Sequence, residues 1–182
     1  ISVSAFLLNR SSDLALTLDD YSDKVTWNSD KSRLLVVTLT SDPETYKDGE
    51  LVKSDSVVWV VNEKELLLWY QDHKDGVRNW DLRFKQLFGE PRTSKATHMA
   101  FLWVKPEDLM RPAYVPDVKA YDMRTAFEGE FSNDAEITER MMWFKNWFDA
   151  RASKIYTGPD ARPWTRLGYT YDWGSKGDKY DS

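Results

Sequence analysis

The sequence of 182 residues has no cysteine and two histidines, His73 and His98. Without cysteine, disulfides, thiol nucleophiles, zinc fingers and iron–sulfur clusters are excluded. A zinc site would need both of these distant histidines and a carboxylate. We therefore expect ordinary environments for them: His73 solvated in a polar loop, and His98 hydrogen-bonded and partly buried at the start of a strand. The sequence therefore predicts no cofactor and no tightly bound transition metal, whereas calcium held by carboxylates stays compatible with it.

Positive charge and long apolar runs are also scarce. The 25 lysines and arginines are outnumbered by 30 acidic residues, which gives a net charge of −5. Binding to nucleic acid needs a basic surface that neutralises phosphates, so no nucleic-acid partner is expected. The longest apolar runs, such as Val57–Val61, cover a few residues, and we expect no membrane insertion. The motifs of serine hydrolases, P-loop proteins and dinucleotide-binding proteins do not occur either.

The sequence starts at Ile1, and Ile1–Leu8 is an apolar run without the charged start and long apolar segment of a signal peptide. A processed exported protein and a trimmed chain both fit this start. Together with the absent cysteine and the aromatic content, it favours an exported protein, periplasmic or extracellular, with a cytoplasmic location as the alternative.

Aromatic residues are what the sequence has in excess, with nine tryptophans, nine tyrosines and eight phenylalanines. They are densest in Trp143–Phe148 and in Arg162–Gly174. Such density builds a large core or forms a binding surface. Within the first segment, we expect at least one of Trp143 and Trp147 to be buried, because an exposed pair would indicate a ligand or a partner.

Strands that come first and helices that come later predict an α+β fold, with a mixed or mainly antiparallel sheet and helices packed on one face. The predicted strands are Ile1–Leu8, Leu14–Leu18, Arg33–Thr40, Val57–Val61, Thr97–Val104 and Arg166–Trp173. Val57–Val61 is apolar on both faces and should be central in the sheet. The length fits one domain, residues 1–173, followed by a polar tail, residues 174–182, that we expect to be flexible.

Capping residues and apolar spacing predict three helices. Asn62 caps the first, whose apolar part is Leu66–Tyr70. The second covers Trp80–Phe88 and stops at Gly89. The third is the longest and begins after Asn133. Its apolar stripe consists of Ile137, Met141, Phe144, Phe148, Ala152 and Ile155.

The strand predicted near the C-terminus contains the strongest candidate for a functional surface. Alternation would put one set of large side chains on a common face: Leu167, Tyr169, Tyr171 and Trp173. This face is either a core layer under the long helix or a platform that stacks on sugar rings or bases, with arginine and aspartate beside it to bind hydroxyls or a carboxylate. The predicted ligand-binding residues are Arg162, Trp164, Arg166, Tyr169, Tyr171, Asp172 and Trp173. Trp164 is the ring that we most expect at the surface.

Acidic neighbours offer a second kind of site. Glu107 with Asp108, Glu128 with Glu130, or Asp134 with Glu136 would supply the two carboxylates of a glycosidase at a suitable separation. Thirty acidic residues also produce many accidental pairs, and acidic residues at helix starts are explained by the helix dipole. No catalytic residue is assigned from the sequence.

These observations predict a binding domain that uses its C-terminal aromatic surface, with a saccharide or cell-envelope material as the ligand. Two alternatives remain open: a secreted hydrolase or effector-type enzyme whose site forms only in the fold, and an interaction module with a protein partner. An enzyme should have a concave pocket in which titratable groups with shifted pKa values converge. An interaction module should present a flat apolar patch.

Overall fold

The computed structural model describes residues 3–6, 18, 23–52, 56–127 and 135–174. The strands in chain order are β1 (Val3–Phe6), β2 (Leu34–Thr40), β3 (Val58–Asn62), β4 (His98–Val104) and β5 (Leu109–Met110). The helices are α1 (Glu63–His73), α2 (Trp80–Leu87) and α3 (Ala135–Ala152), with 3₁₀ turns at Pro43–Thr45 and Pro106–Asp108. In this described part of the chain, no helix has both the length and the apolar character needed to cross a bilayer.

The five strands form one mixed sheet in the order β4-β2-β3-β1-β5. β1 is parallel to both β3 and β5, whereas β2 is antiparallel to both β3 and β4. The third position of β3 confirms the prediction that Val57–Val61 is a central strand. The predicted α+β fold with a mixed sheet is confirmed as well.

The helices all pack on one face of this sheet. Val37 and Val61 point to that face, and their neighbours Val36 and Val60 point to the other. The buried helical residues on the first face are Leu66 and Trp69 of α1, Leu87 of α2, and Phe144 and Phe148 of α3. Among the described residues, the second face is covered by loop residues such as Val25 and Val118, so the three helices share a single hydrophobic core with the sheet.

Local signals in the sequence explain where α1 and α2 begin and end. The side-chain oxygen of Asn62 accepts a hydrogen bond from the backbone N–H of Lys64, and that of Asn79 accepts one from Leu82. Gly89 follows α2 with a φ of +68°, the left-handed conformation that glycine adopts at least cost. The chain therefore turns sharply at Gly89, and Glu90 leaves the helix in a new direction.

The strand predicted over residues 166–173 does not form. Arg166 and Gly168 have φ values of +60° and +92°, and these left-handed conformations interrupt an extended chain. Gly168 also lies so close to the buried side chain of Arg111 that a Cβ atom there would overlap with Arg111 Cδ. The predicted alternation of side chains between two faces is therefore wrong, because a regular strand is needed to produce it.

Other predictions fall partly or wholly outside the described residues. These are the flanks of the first strand, residues 14–17 of the second predicted strand, the cap at Asn133 and the tail beyond Gly174. The acidic pairs Glu128 with Glu130 and Asp134 with Glu136 cannot be compared either, because at least one member of each lies outside the described residues. In α3, Phe144 and Phe148 are buried as predicted. Ile137 is 51% exposed, so the apolar stripe begins one turn later than its sequence indicates.

Candidate functional site

Residues 162–174 form a segment without helix or strand that lies against the end of α2, and we call it the C-terminal strap. Arg83 of α2 donates two hydrogen bonds to the carboxylate of Asp172, at 2.8 and 2.5 Å. Arg162 donates from Nε and Nη2 to the two carboxylate oxygens of Glu90, at 3.1 and 2.9 Å. Two-point pairs of this kind fix orientation as well as distance, so they hold both ends of the strap in place.

The middle of the strap is held by Trp164, which belongs to the core. Its side chain is 6% exposed, and its ring lies 4.6 Å from the ring of Phe148 and 5.7 Å from that of Trp59. The indole Nε1 donates a hydrogen bond to the carbonyl of Pro112 at 2.9 Å. The prediction that Trp164 lies at the surface is wrong: the carbonyl of Pro112 satisfies its N–H group, so burial leaves no polar atom of this side chain without a partner.

A cleft opens beside the strap where two strands separate. The β2–β3 ladder consists of two pairs, Val36 with Asn62 and Val37 with Val61. Beyond them, β2 continues to pair with β4 as far as Thr40, and β3 pairs with β1 from Val58 onward. The opening encloses a cavity of about 290 Å³, near the lower end of the size range of small-molecule sites.

Six of the twenty described residues that line this opening, which we call the strap cleft, are aromatic. The strap contributes Arg162, Pro163, Trp164, Tyr169, Thr170 and Tyr171, and the rest of the chain contributes Thr38, Leu39, Tyr46, Ser56, Val57 to Val61, Phe88, Gly89, Glu90, Arg151 and Ile155. Tyr171 is 55% exposed and Trp164 is buried, so the rings extend from the cleft's mouth to its base. Flat rings with a few polar groups between them are typical of small-molecule sites.

Among the described residues that line the cleft, Arg151 is the cation that forms no ion pair. Its guanidinium carbon lies 5.8 Å from the ring centre of Trp59, and its Nε atom is buried without a hydrogen-bond partner among the described residues. Burial lowers the pKa of the Arg151 guanidinium, the charge of Arg162 lowers it further, and Glu90 raises it. Arginine stays protonated in proteins, so this direction reflects a cation whose charge is poorly compensated.

Tyr46 adds a phenol from the loop that follows β2. Burial raises the pKa of Tyr46 above its ordinary value of 10.0, and the charge of Asp42 raises it further. Its hydroxyl is therefore neutral at physiological pH, when it can both donate and accept a hydrogen bond. Tyr46 and Arg151 are thus two polar groups of the cleft for which burial shifts the pKa.

The structure brings together four of the seven predicted ligand-binding residues. Those that line the cleft are Arg162, Trp164, Tyr169 and Tyr171. Asp172 and Trp173 anchor the strap instead, the latter by donating from Nε1 to the carbonyl of Glu90 at 2.9 Å. Arg166 lies over the rings of Tyr114 and Tyr156, at 5.8 and 5.7 Å, and is not among the residues that line the cleft.

Sequence reasoning missed Arg151, Trp59 and Glu90, although the sequence contains a signal for the first. Phe144, Phe148, Arg151 and Ile155 follow one another at steps of four, three and four residues. This spacing places Phe144, Phe148 and Arg151 on one face of α3, which ends at Ala152 before the buried Ile155, so an arginine follows the buried phenylalanines of the stripe. A cation at such a position is costly without a partner and is a signal for function.

The remaining candidates do not form a second site. His73 stacks on Trp69 and is hydrogen-bonded to its carbonyl, and His98 is exposed rather than partly buried as predicted. Among the described residues, no cluster of three or more metal-ligating side chains occurs. Trp147 is partly buried against the core and Trp143 is 42% exposed, so neither ring of the pair is fully buried as predicted.

Comparisons with protein-family models, with curated proteins and with solved structures find no match for this chain. The function therefore has to be inferred from the cleft itself, its rings, its charges and its size.

Proposed function

We propose that this protein is a ligand-binding domain and that the strap cleft binds a saccharide, such as a component of the cell envelope. The observation that carries this proposal is the convergence of Tyr169, Tyr171 and Trp164 with Arg162 and Glu90 around one opening. Sugar rings have apolar faces that stack on aromatic side chains and hydroxyls that accept and donate hydrogen bonds at their edges. Export of the protein, which would bring it to such a ligand, stays a prediction.

The arrangement of polar groups supports binding more than hydrolysis. Glycoside hydrolysis ordinarily needs two carboxylates across the scissile bond. Among the described lining residues, Glu90 supplies the sole carboxylate, and both of its oxygens accept hydrogen bonds from Arg162. A carboxylate held in this way is suited to orienting the arginine rather than to transferring protons.

The alternative of a protein-interaction module depends on aromatic residues elsewhere. Phe101 and Trp103 of the edge strand β4 are 56% and 46% exposed and point to the same face of the sheet. Exposed single rings are normal on a protein surface, and the groove that these two rings line also has charged residues in its walls, such as Arg33, Lys47 and Glu50. The cleft therefore remains the better-supported site.

The proposal is tested with Tyr171→Ala on a glycan array, followed by calorimetry with the glycans that bind. Tyr171 is the exposed ring of the cleft, and loss of one stacking ring should weaken binding about tenfold, or about 1.4 kcal/mol. Tyr121→Ala is a matched control, because Tyr121 is 59% exposed and is not among the residues that line the cleft.

Three results are informative. Weakening by Tyr171→Ala and not by Tyr121→Ala supports the cleft as the saccharide site. Equal effects of the two substitutions, or none from either, would mean that any glycan binds elsewhere. If no glycan on the array binds, the saccharide proposal is wrong, and the enzyme and interaction-module hypotheses take its place.

A further inference from the structure

We propose that the ligand of the strap cleft carries a carboxylate and that Arg151 is the residue that binds it. This inference rests on the proposed function, since it names the class of ligand for the same cleft: acidic sugars, such as uronic acids, rather than neutral ones.

The charges of the cleft support this assignment. The charged residues among its described lining are Arg151, Arg162 and Glu90. Arg162 and Glu90 form a two-point pair and neutralise each other. Arg151 forms no hydrogen bond or ion pair through its side chain with any described residue, so one positive charge is left in a protein whose net charge is −5.

The position of Arg151 places this charge beside the cleft. It comes one turn after the buried Phe148 and one turn before the buried Ile155, on the face of α3 that packs against the sheet. Its Nε is buried and its guanidinium carbon lies 5.8 Å from the ring centre of Trp59, so the guanidinium lies beside another residue that lines the cleft. A half-buried cation held there gains most from an anion that enters the cleft beside it.

The number of charges favours a carboxylate over a phosphate monoester. One uncompensated arginine matches one negative charge, and the planar guanidinium forms two parallel hydrogen bonds with a carboxylate. A phosphate monoester has a charge of about −1.5 to −2 at neutral pH and is ordinarily met by more than one cation or by a helix N-terminus.

The experiment compares pairs of probes that differ in the carboxylate. Calorimetry with the full 182-residue chain is carried out with glucuronate against glucose, galacturonate against galactose, and benzoate against benzamide as a pair that contains no sugar. We expect each acid to bind about 10- to 100-fold more tightly than its neutral partner, as a hydrogen-bonded ion pair in a partly desolvated site provides.

Substitutions then assign the effect to one residue. Arg151→Met should abolish the preference for acids, and Arg151→Lys should restore part of that preference, because lysine keeps the charge and not the planar fork. Arg78→Met is the matched control, since Arg78 is exposed between α1 and α2 and is not among the residues that line the cleft. Thermal melts of each variant check that the fold is intact.

The outcomes separate this inference from the proposed function. Sugars that bind without preference for the acid, or a preference that survives Arg151→Met, would overturn the role of Arg151 and leave a saccharide site. Benzoate binding that depends on Arg151, with no sugar bound, would keep the carboxylate site and overturn the saccharide. Failure of all six probes to bind would overturn both.

Discussion

The aromatic residues under α3 and those at the mouth of the strap cleft are of the same chemical kind but have different surroundings. Phe144 and Phe148 are 1% exposed and contact one another and other rings. Tyr171 is 55% exposed, and the strap that holds it is fixed by ion pairs at residues on both sides of it. The rings of the first region stabilise the fold, whereas those of the second are kept in position by polar contacts and remain available to a ligand.

This difference shows how one aromatic-rich sequence serves two purposes. Trp164 lies where the two regions meet, since it packs on Phe148 and also lines the cleft. The cleft therefore has a rigid floor supplied by the core and a wall whose position depends on charged anchors. Substitutions in the two regions should separate loss of stability from loss of binding.

The largest effect is expected for Phe148→Ala in the core. Truncation of a buried phenylalanine removes packing and leaves a cavity, so the free energy of unfolding should fall by about 3 to 5 kcal/mol. Denaturant melts measure this, with Phe101→Ala as the control because Phe101 is 56% exposed. A loss below about 1 kcal/mol for Phe148→Ala would mean that α3 packs with a different face.

The next effect concerns the anchor of the strap. Arg83→Met removes the charged partner of the partly buried Asp172 carboxylate, which keeps the backbone N–H of Gly174 alone, and we expect the free energy of unfolding to fall by about 2 to 3 kcal/mol. The pair Lys145–Asp149 on the surface of α3 is the control, because Lys145→Met removes an exposed pair and should cost about 0.5 kcal/mol or less. Equal losses from the two substitutions would contradict the anchoring role of Arg83.

A smaller effect is expected at the mouth of the cleft. Tyr171→Ala should change the free energy of unfolding by about 0.5 kcal/mol or less, because the ring is largely exposed. Chemical denaturation without ligand tests this. A loss as large as that of Phe148→Ala would place Tyr171 in the core region and end the distinction between the two sets of rings.

The smallest effect is a pH dependence that arises from Tyr46. Because burial raises the pKa of Tyr46 in the folded state, its contribution to stability is present below about pH 10, the unfolded value, and is lost as the pH rises through the folded pKa. Tyr46→Phe should therefore make the fall of Tm with pH less steep in the alkaline range. Tyr121→Phe, at an exposed tyrosine outside the cleft, provides the comparison, and identical alkaline profiles for the two variants would argue against the burial of Tyr46.

Elements with local signals could be predicted from the sequence. Strand β2, predicted as Arg33–Thr40, is Leu34–Thr40, and the caps at Asn62 and Gly89 lie where expected, because alternation and capping act within a few residues. The first strand was recognised as a strand, but its parallel pairing with β3 and β5 depends on residues far along the chain. No short pattern encodes such pairing.

The candidate site was predicted in part. Arg162, Tyr169 and Tyr171 line the cleft because aromatic and charged residues cluster in Arg162–Gly174, although the strand alternation expected for this segment does not form. The expected exposure of Trp164 was wrong and the pairing of Asp172 with Arg83 was missed, because both depend on contacts with residues that are distant in sequence. The same holds for the separation of β2 from β3, which creates the cleft and has no counterpart in any local pattern.

The anchors of the strap also determine when the cleft can form during folding. Arg83 and Asp172 are 89 residues apart in the chain, and Glu90 and Arg162 are 72 residues apart. Joining such distant residues costs chain entropy before the contacts compensate for it, so these contacts should form late in refolding, after the helices. A ligand that recognises the completed cleft would then slow unfolding and leave the folding rate nearly unchanged.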